Sequence, residues 1–224
     1  NLQDFDSDPN LINCENGILD LRTMEKKDHT HTYLSKVLIP CNFTMPKSQD
    51  IEINLEKTLF WKYLKNSFTV DGKLNQNDMM NVLEIMSSVF LKRNIDEKSI
   101  MFLGTGENGK SVCLDYTKYM TGKENFSGVP LQVLTNDRFS TEKLDGKLAN
   151  IFTDLEKDEL PKTGIFKALS SGESVYAQKK HGQPFDLVSF ATLIFSCNRF
   201  PKSYDQSQGF FRRWIIVKWS RNFE

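Results

Sequence analysis

The stretch Gly104-Thr105-Gly106-Glu107-Asn108-Gly109-Lys110-Ser111 has the spacing G-x-x-x-x-G-K-S, and each residue type in it answers a need of polyphosphate binding. Gly104 and Gly109 let the backbone turn tightly and bring its N–H groups close to phosphate oxygens. Thr105, Gly106, Glu107 and Asn108 span the loop between them, and Val112 follows it. Lys110 would place a point charge on the β- and γ-phosphates, and the Ser111 hydroxyl is a ligand for Mg²⁺. The apolar run Ile100–Leu103 precedes the loop. A helix starting near Gly109 would aim its positive end at the same anion. This strand–loop–helix context separates the motif from a chance glycine-rich turn.

Such a loop needs an acid nearby. Asp154 follows the apolar run Leu148–Phe152 and is the natural residue to hold Mg²⁺ through water, with Glu156 a candidate for orienting the attacking water. Leu155 separates the two acids. An aspartate after an apolar run is by itself more often a strand-ending cap. Asn198 ends another apolar run, Phe190–Cys197. It could hold a γ-phosphate or a water, or simply form a turn before Arg199-Phe200-Pro201. Arg212-Arg213 stands directly before a last apolar strand. A cation there could reach a neighbouring subunit's nucleotide; the plain alternative is a solvated pair at a strand start. Lys179-Lys180-His181 reads as the basic tip of a strand–loop–strand, either touching a nucleic-acid backbone or merely an exposed turn.

The elements that must position these residues follow from hydrophobic spacing. After the loop, apolar runs alternate with helical segments: Leu148–Phe152, a helix at Thr163–Leu169, strands at Ser174–Ala177 and Phe185–Val188, then Phe190–Cys197 and Trp214–Trp219. This predicts a parallel sheet with crossover helices. Before the loop, Leu11–Cys14, Glu15-Asn16-Gly17 and Ile18–Leu21 predict a hairpin with an N-G turn. A further strand is expected at Tyr33–Ile39 and a loop at Pro40–Ser48. Helical periodicity covers Glu52–Phe68 and Gln76–Leu91, the second capped by Asn75. The charged stretch Lys92–Lys98 suggests a division into an N-terminal hairpin-and-helix segment, residues 1–97, and an α/β core, residues 98–224.

The 224 residues carry 29 basic and 29 acidic side chains, a formal net charge of zero. Nucleic-acid binding must then come from a local patch. Cys14, Cys41, Cys113 and Cys197 lie far apart without a C-x-x-C spacing, which suits reduced thiols better than a zinc site or a disulfide framework. No signal peptide and no apolar run long enough to span a membrane is visible. A cytoplasmic setting in a bacterial, archaeal or virus-infected cell is expected. The chain starts without Met and reads as an excised part of a longer polypeptide.

Taken in order, these pieces resemble the ATPase domain of a superfamily 3 helicase, and more narrowly the phage, plasmid and poxvirus primase-helicases. The resemblance rests on the Gly104–Ser111 loop, Asp154, the Gly164–Glu173 segment, Lys180-His181, Asn198 within Leu193–Pro201, and Phe210-Phe211-Arg212-Arg213-Trp214, covering Ser99–Trp219. Asn13–Asp20 and the two helices resemble, more weakly, the segment preceding that core. The family implies an AAA+-like core with a central parallel sheet, ATP and Mg²⁺ as cofactors, a homo-hexameric ring with nucleotide at subunit interfaces, and single-stranded or forked DNA threaded through the centre. It implies a sensor role for Asn198 and channel-hairpin roles for Lys180 and His181. Arg213 matches the arginine finger best and Arg212 next. A covalently linked primase-polymerase domain would lie outside this chain. The sequence departs from the family in lacking adjacent acids at Asp154 and in reading Ser171-Gly172-Glu173 where relatives often have Gly-Gly-Asp. Two rival readings are a P-loop small-molecule kinase and a nucleotide-binding DNA-loading module without unwinding activity.

Overall fold

The computed structural model describes residues 5–45, 55–137, 139–156 and 159–223. Leu11–Cys14 (β1) and Gly17–Asp20 (β2) close the expected antiparallel hairpin, and Glu25–Lys27 (β3) adds a third strand. Gly17 has φ +140°, and a Cβ there would come within 2.6 Å of the Lys27 carbonyl oxygen, so only glycine fits. The strand expected at Tyr33–Ile39 does not form. His31–Tyr33 turns as a 3₁₀ helix, and a single bridge joins Ile39 to Cys14. The local cause is Asp6, whose carboxylate accepts the N–H groups of Lys36 (3.0 Å) and Val37 (3.5 Å) that a neighbouring strand would otherwise take.

Leu59–Ser67 (α1) begins at Thr58, whose hydroxyl accepts the N–H of Trp61 at 3.1 Å. The start of the helix expected over Glu52–Phe68 and the end of the Pro40–Ser48 loop fall on residues 46–54, outside the described residues. Thr69–Val70 (β4) and Lys73–Leu74 (β5) pair around Asp71-Gly72, both at positive φ, a D-G turn that the reading by helical period passed over. Gln76–Ser88 (α2) is capped by Asn75, which accepts the N–H of Asp78 at 3.2 Å.

The remainder alternates strands with helices: Ser99–Leu103 (β6), Lys110–Thr121 (α3), Phe126–Ser127 (β7), Leu131–Asn136 (α4), Ala149–Phe152 (β8), Gly164–Ser171 (α5), Val175–Gln178 (β9), Pro184–Leu187 (β10), Thr192–Cys197 (β11), Gln208–Phe211 (α6) and Trp214–Lys218 (β12). Of these, β7 and α4 are additions to the expected set. Five strands form a parallel sheet in the order β12-β6-β11-β8-β7. The fold is α/β, a P-loop core with an AAA+-like central sheet. Strand β11 lies between the loop-bearing β6 and the acid-bearing β8.

Side chains alternate across β6. Ile100 and Phe102 pack with Leu64, Met79, Val82, Met86 and Leu114 from α1, α2 and α3. Met101 packs on the other face with Leu131, Leu134, Phe166, Leu169 and Ala177. Covering both faces is what lets an all-parallel sheet stay dry, and each large side chain so buried contributes roughly 1.5–3 kcal/mol. Cys14, Val37 and Ile39 join the first of these clusters. All four cysteines are free thiols, and burial pushes those of Cys14 and Cys113 up to about 12. Among the described residues no helix is long and apolar enough to cross a membrane.

Candidate nucleotide site

Parallel strands present their C-terminal ends to one edge, where the loops that follow them meet. The Gly104–Ser111 loop after β6, Asp154 after β8 and Asn198 after β11 therefore share that edge. The loop abuts β11 directly, because the Gly104 N–H donates to the Cys197 carbonyl at 3.2 Å. A Cβ at Gly104 would fall 2.3 Å from both the Asn108 Nδ2 and the Trp219 carbonyl oxygen. Gly109 has φ +91° and forms the N-cap of α3. The Tyr63 hydroxyl donates to the Gly109 carbonyl at 2.6 Å, so α1 buttresses the turn.

Lys110 is buried, and its Nζ donates to the Gly104 carbonyl at 2.5 Å and to the Asn108 Oδ1 at 3.1 Å. Burial lowers its pKa, opposed by Cys197 and by the carboxylate of Asp154. Burial likewise raises the Cys197 thiol to about 11. The cation thus lies within electrostatic reach of the ends of β11 and β8. Thr105, Glu107, Ser111, Val112, Asp154, Glu156 and Asn198 are exposed, and Leu155 is buried between the two acids. The Glu156 carbonyl accepts from Gln132 at 3.4 Å. Ser111 and Asp154 supply two accessible hard-oxygen donors, and their chemistry fits the protein's share of a Mg²⁺–polyphosphate complex, in which water and phosphate provide the rest.

Arg212 and Arg213 lie at the opposite edge. Trp214 is in register with Ser99 at the start of β6, and the Arg213 carbonyl accepts the Ser99 N–H at 2.7 Å. The five residues of β6 separate that level from Gly104 by about 17 Å. The Arg213 guanidinium is buried and donates to the Gly209 carbonyl and, at 2.7 Å, to the Ser171 hydroxyl. Arg212 is 53% exposed at its side chain and pairs with Glu97. Lys179, Lys180 and His181 are exposed at the tip of the β9–β10 hairpin, with His181 at φ +65°. The hairpin runs into the start of β11, so its base too is remote from the nucleotide edge.

The loop after β11 is tied down by Asp205, which accepts from Thr163, from Lys167 at 2.9 Å and from the Ser207 N–H at 2.9 Å. Hydrogen bonds from Ser207, then Thr163 and Lys167, hold its carboxyl well below the usual carboxylate range. A carboxyl depressed on folding stabilises above its unfolded value, near pH 4, and that contribution is lost as pH falls through the folded value. Asp205→Asn should lower stability at pH 7 and flatten its decline below pH 4. Urea unfolding at pH 7, 4 and 3 reads this directly. Parallel pH profiles for the two proteins would refute it.

Sequence reading missed Tyr63, Cys197 and Trp219, which shape the loop through a hydroxyl and backbone carbonyls. No residue-type signal marks such contacts. It also missed the crossing of Trp219–Phe223 over the loop, where the Phe223 N–H donates to the Glu107 carbonyl at 2.8 Å.

A family model described as a family of unknown function, DUF5906, matches residues 102–213, half of the chain. The chain belongs to the DUF5906 family. In this DUF5906 chain the matched stretch holds the loop, Asp154, Asn198, the basic hairpin and both arginines. A second model, described as D5 N terminal like, matches residues 1–69. Two viral proteins provisionally named as helicases are similar along nearly the whole chain. They are L207/L206 of Acanthamoeba polyphaga mimivirus, 22% identical over 99% of this chain, and 121R of Invertebrate iridescent virus 3, 26% identical over 98%. The chain spans about a quarter of the length of these curated relatives, 23% and 24%. Among solved structures, the apo C-terminal region of NrS-1 shares the fold, with a TM-score of 0.53 at 18% identity over 71% of this chain and 36% of that one.

Proposed function

We propose that this chain is the ATP-driven motor segment of a replicative DNA helicase of a virus or mobile element, of the superfamily 3 type. The observation that carries the proposal is the convergence of Gly104–Ser111, Asp154 and Asn198 at one edge of a sheet in which β11 separates β6 from β8. The helicase names of the two viral relatives point the same way.

In this reading the N–H groups of the loop and the Lys110 ammonium bind the phosphates of ATP. Ser111 and Asp154 would hold Mg²⁺, which would supply charge neutralisation to the phosphates. Asn198 orients the γ-phosphate or the water, and Glu156 assists the water. The chain works as a homo-hexamer on single-stranded or forked DNA, joined to a primase segment beyond residues 1–224. Arg212 or Arg213 completes a neighbour's site. The exposure of Arg212 and the internal bonds of Arg213 favour Arg212 for that reach.

ATPase rate with and without single-stranded DNA, together with strand separation on a fork, tests the proposal. Both should require Mg²⁺, and DNA should stimulate turnover. Turnover insensitive to DNA, or transfer of phosphate to a small acceptor, would overturn it in favour of a kinase. Lys179→Ala, Lys180→Ala and His181→Ala should impair DNA binding while sparing basal turnover. Each lost phosphate contact should lower the salt slope of binding by about one. Unchanged affinity and slope in the triple variant would return the hairpin to an ordinary turn.

A further inference from the structure

The segment after β12 crosses the phosphate loop and continues past it to α1. The Trp219 N–H donates to the Leu103 carbonyl at 2.8 Å, and the Trp219 carbonyl accepts from Asn108 at 3.1 Å. Two residues on, the Arg221 guanidinium donates to the carbonyls of Asn66 in the last turn of α1 (2.9 Å) and Thr69 in β4 (3.3 Å). It also lies 4.9 Å from the centre of the Phe223 ring. The Phe223 N–H is bonded to Glu107 in the crest of the phosphate loop, and the residue remains 39% exposed.

Sheet order gives this arrangement a direction. Strand β6 carries the phosphate loop, with β11 and β8 on one side and β12 on the other. Asn198 and Asp154, the groups that face a terminal phosphate, belong to the β11–β8 side. A nucleotide bound with its γ-phosphate toward them must direct its base toward the β12 side, which is where Trp219–Phe223 runs. We infer that this segment is the base-binding wall of the nucleotide site, with the Phe223 ring stacking on the base of a nucleoside triphosphate. Arg221 is a positioning residue, pinned to α1 and holding the plane of that ring. The inference rests on the nucleotide-site reading above and deepens it.

The test compares ATP with inorganic tripolyphosphate, which has the phosphates but no base, using calorimetry on the whole chain with Mg²⁺. Phe223→Ala should weaken ATP roughly tenfold, the scale of one base–aromatic stack, and leave tripolyphosphate unchanged. Phe223→Trp should restore ATP affinity, and Arg221→Ala should weaken ATP selectively as Phe223→Ala does. Equal weakening of both ligands by Phe223→Ala would overturn the inference and make the segment a clamp on the loop. Unaltered ATP affinity would overturn it as well. Failure of the wild-type chain to bind either ligand would instead sink the phosphate-loop reading, so the two failures are distinguishable.

Discussion

Lys110→Ala is expected to abolish ATP turnover and to weaken nucleotide binding by about three orders of magnitude. In the structure the ammonium is held by two neutral acceptors, the Gly104 carbonyl and the Asn108 amide oxygen. Both are poor substitutes for a phosphate dianion, so the buried cation is poised to exchange them for phosphate oxygens. A charge pair at about 4 Å in an effective dielectric near 20 is worth about 4 kcal/mol, which is the source of the thousandfold figure. The loop should survive the change. Asn108 keeps its bond to Trp219, Gly109 keeps the Tyr63 hydroxyl, and the Gly104 N–H keeps Cys197. Lys110→Arg should not rescue turnover, since a planar fork does not replace a compact point charge in a loop of this size. Nucleotide titration and steady-state hydrolysis check both halves. Wild-type rates in the alanine variant would remove this loop from the chemistry altogether.

The second large effect is expected from the arginine pair and depends on assembly. Neither side chain can reach the phosphate loop of its own subunit, because the whole length of β6 intervenes. Any action on nucleotide must therefore occur across an interface. Arg212→Ala should bind ATP normally and hydrolyse it about 10³-fold more slowly, the scale of an arginine finger. Mixing it with Lys110→Ala should recover activity. Some interfaces in a mixed ring pair an intact Lys110 from one subunit with an intact Arg212 from the next. Arg213→Ala should behave differently. It strips hydrogen bonds from Ser171 and Gly209 inside the subunit, so lost stability should accompany lost turnover. The assay is hydrolysis against mixing ratio, after subunit exchange has been verified. A flat response for Arg212→Ala would exclude it as the finger, and rescue of Arg213→Ala under the same mixing would assign the role there. Full activity of a monomer on DNA would end the ring reading.

The sequence by itself determined the features that near neighbours control. A Gly-x-x-x-x-Gly-Lys-Ser spacing obliges a loop, since few other residues tolerate φ +91° at Gly109 or leave room at Gly104. Asn75 could be named as a cap because a side-chain amide satisfies a helix N–H within three residues. The Glu15-Asn16-Gly17 turn and the alternation of apolar runs with helices were legible for the same reason. Tertiary structure alone decided the rest. It placed β11 between β6 and β8, diverted the N–H groups of Lys36 and Val37 to Asp6 where a strand was expected over Tyr33–Ile39, and sank Arg213 while leaving Arg212 half exposed beside Glu97, although the two are adjacent and identical in type. It also laid Trp219–Phe223 across a loop more than a hundred residues earlier. Each outcome depends on which distant group takes a backbone hydrogen bond or excludes water from a side chain. Such pairings are set by burial summed over the whole fold, and no local pattern of residue types encodes them.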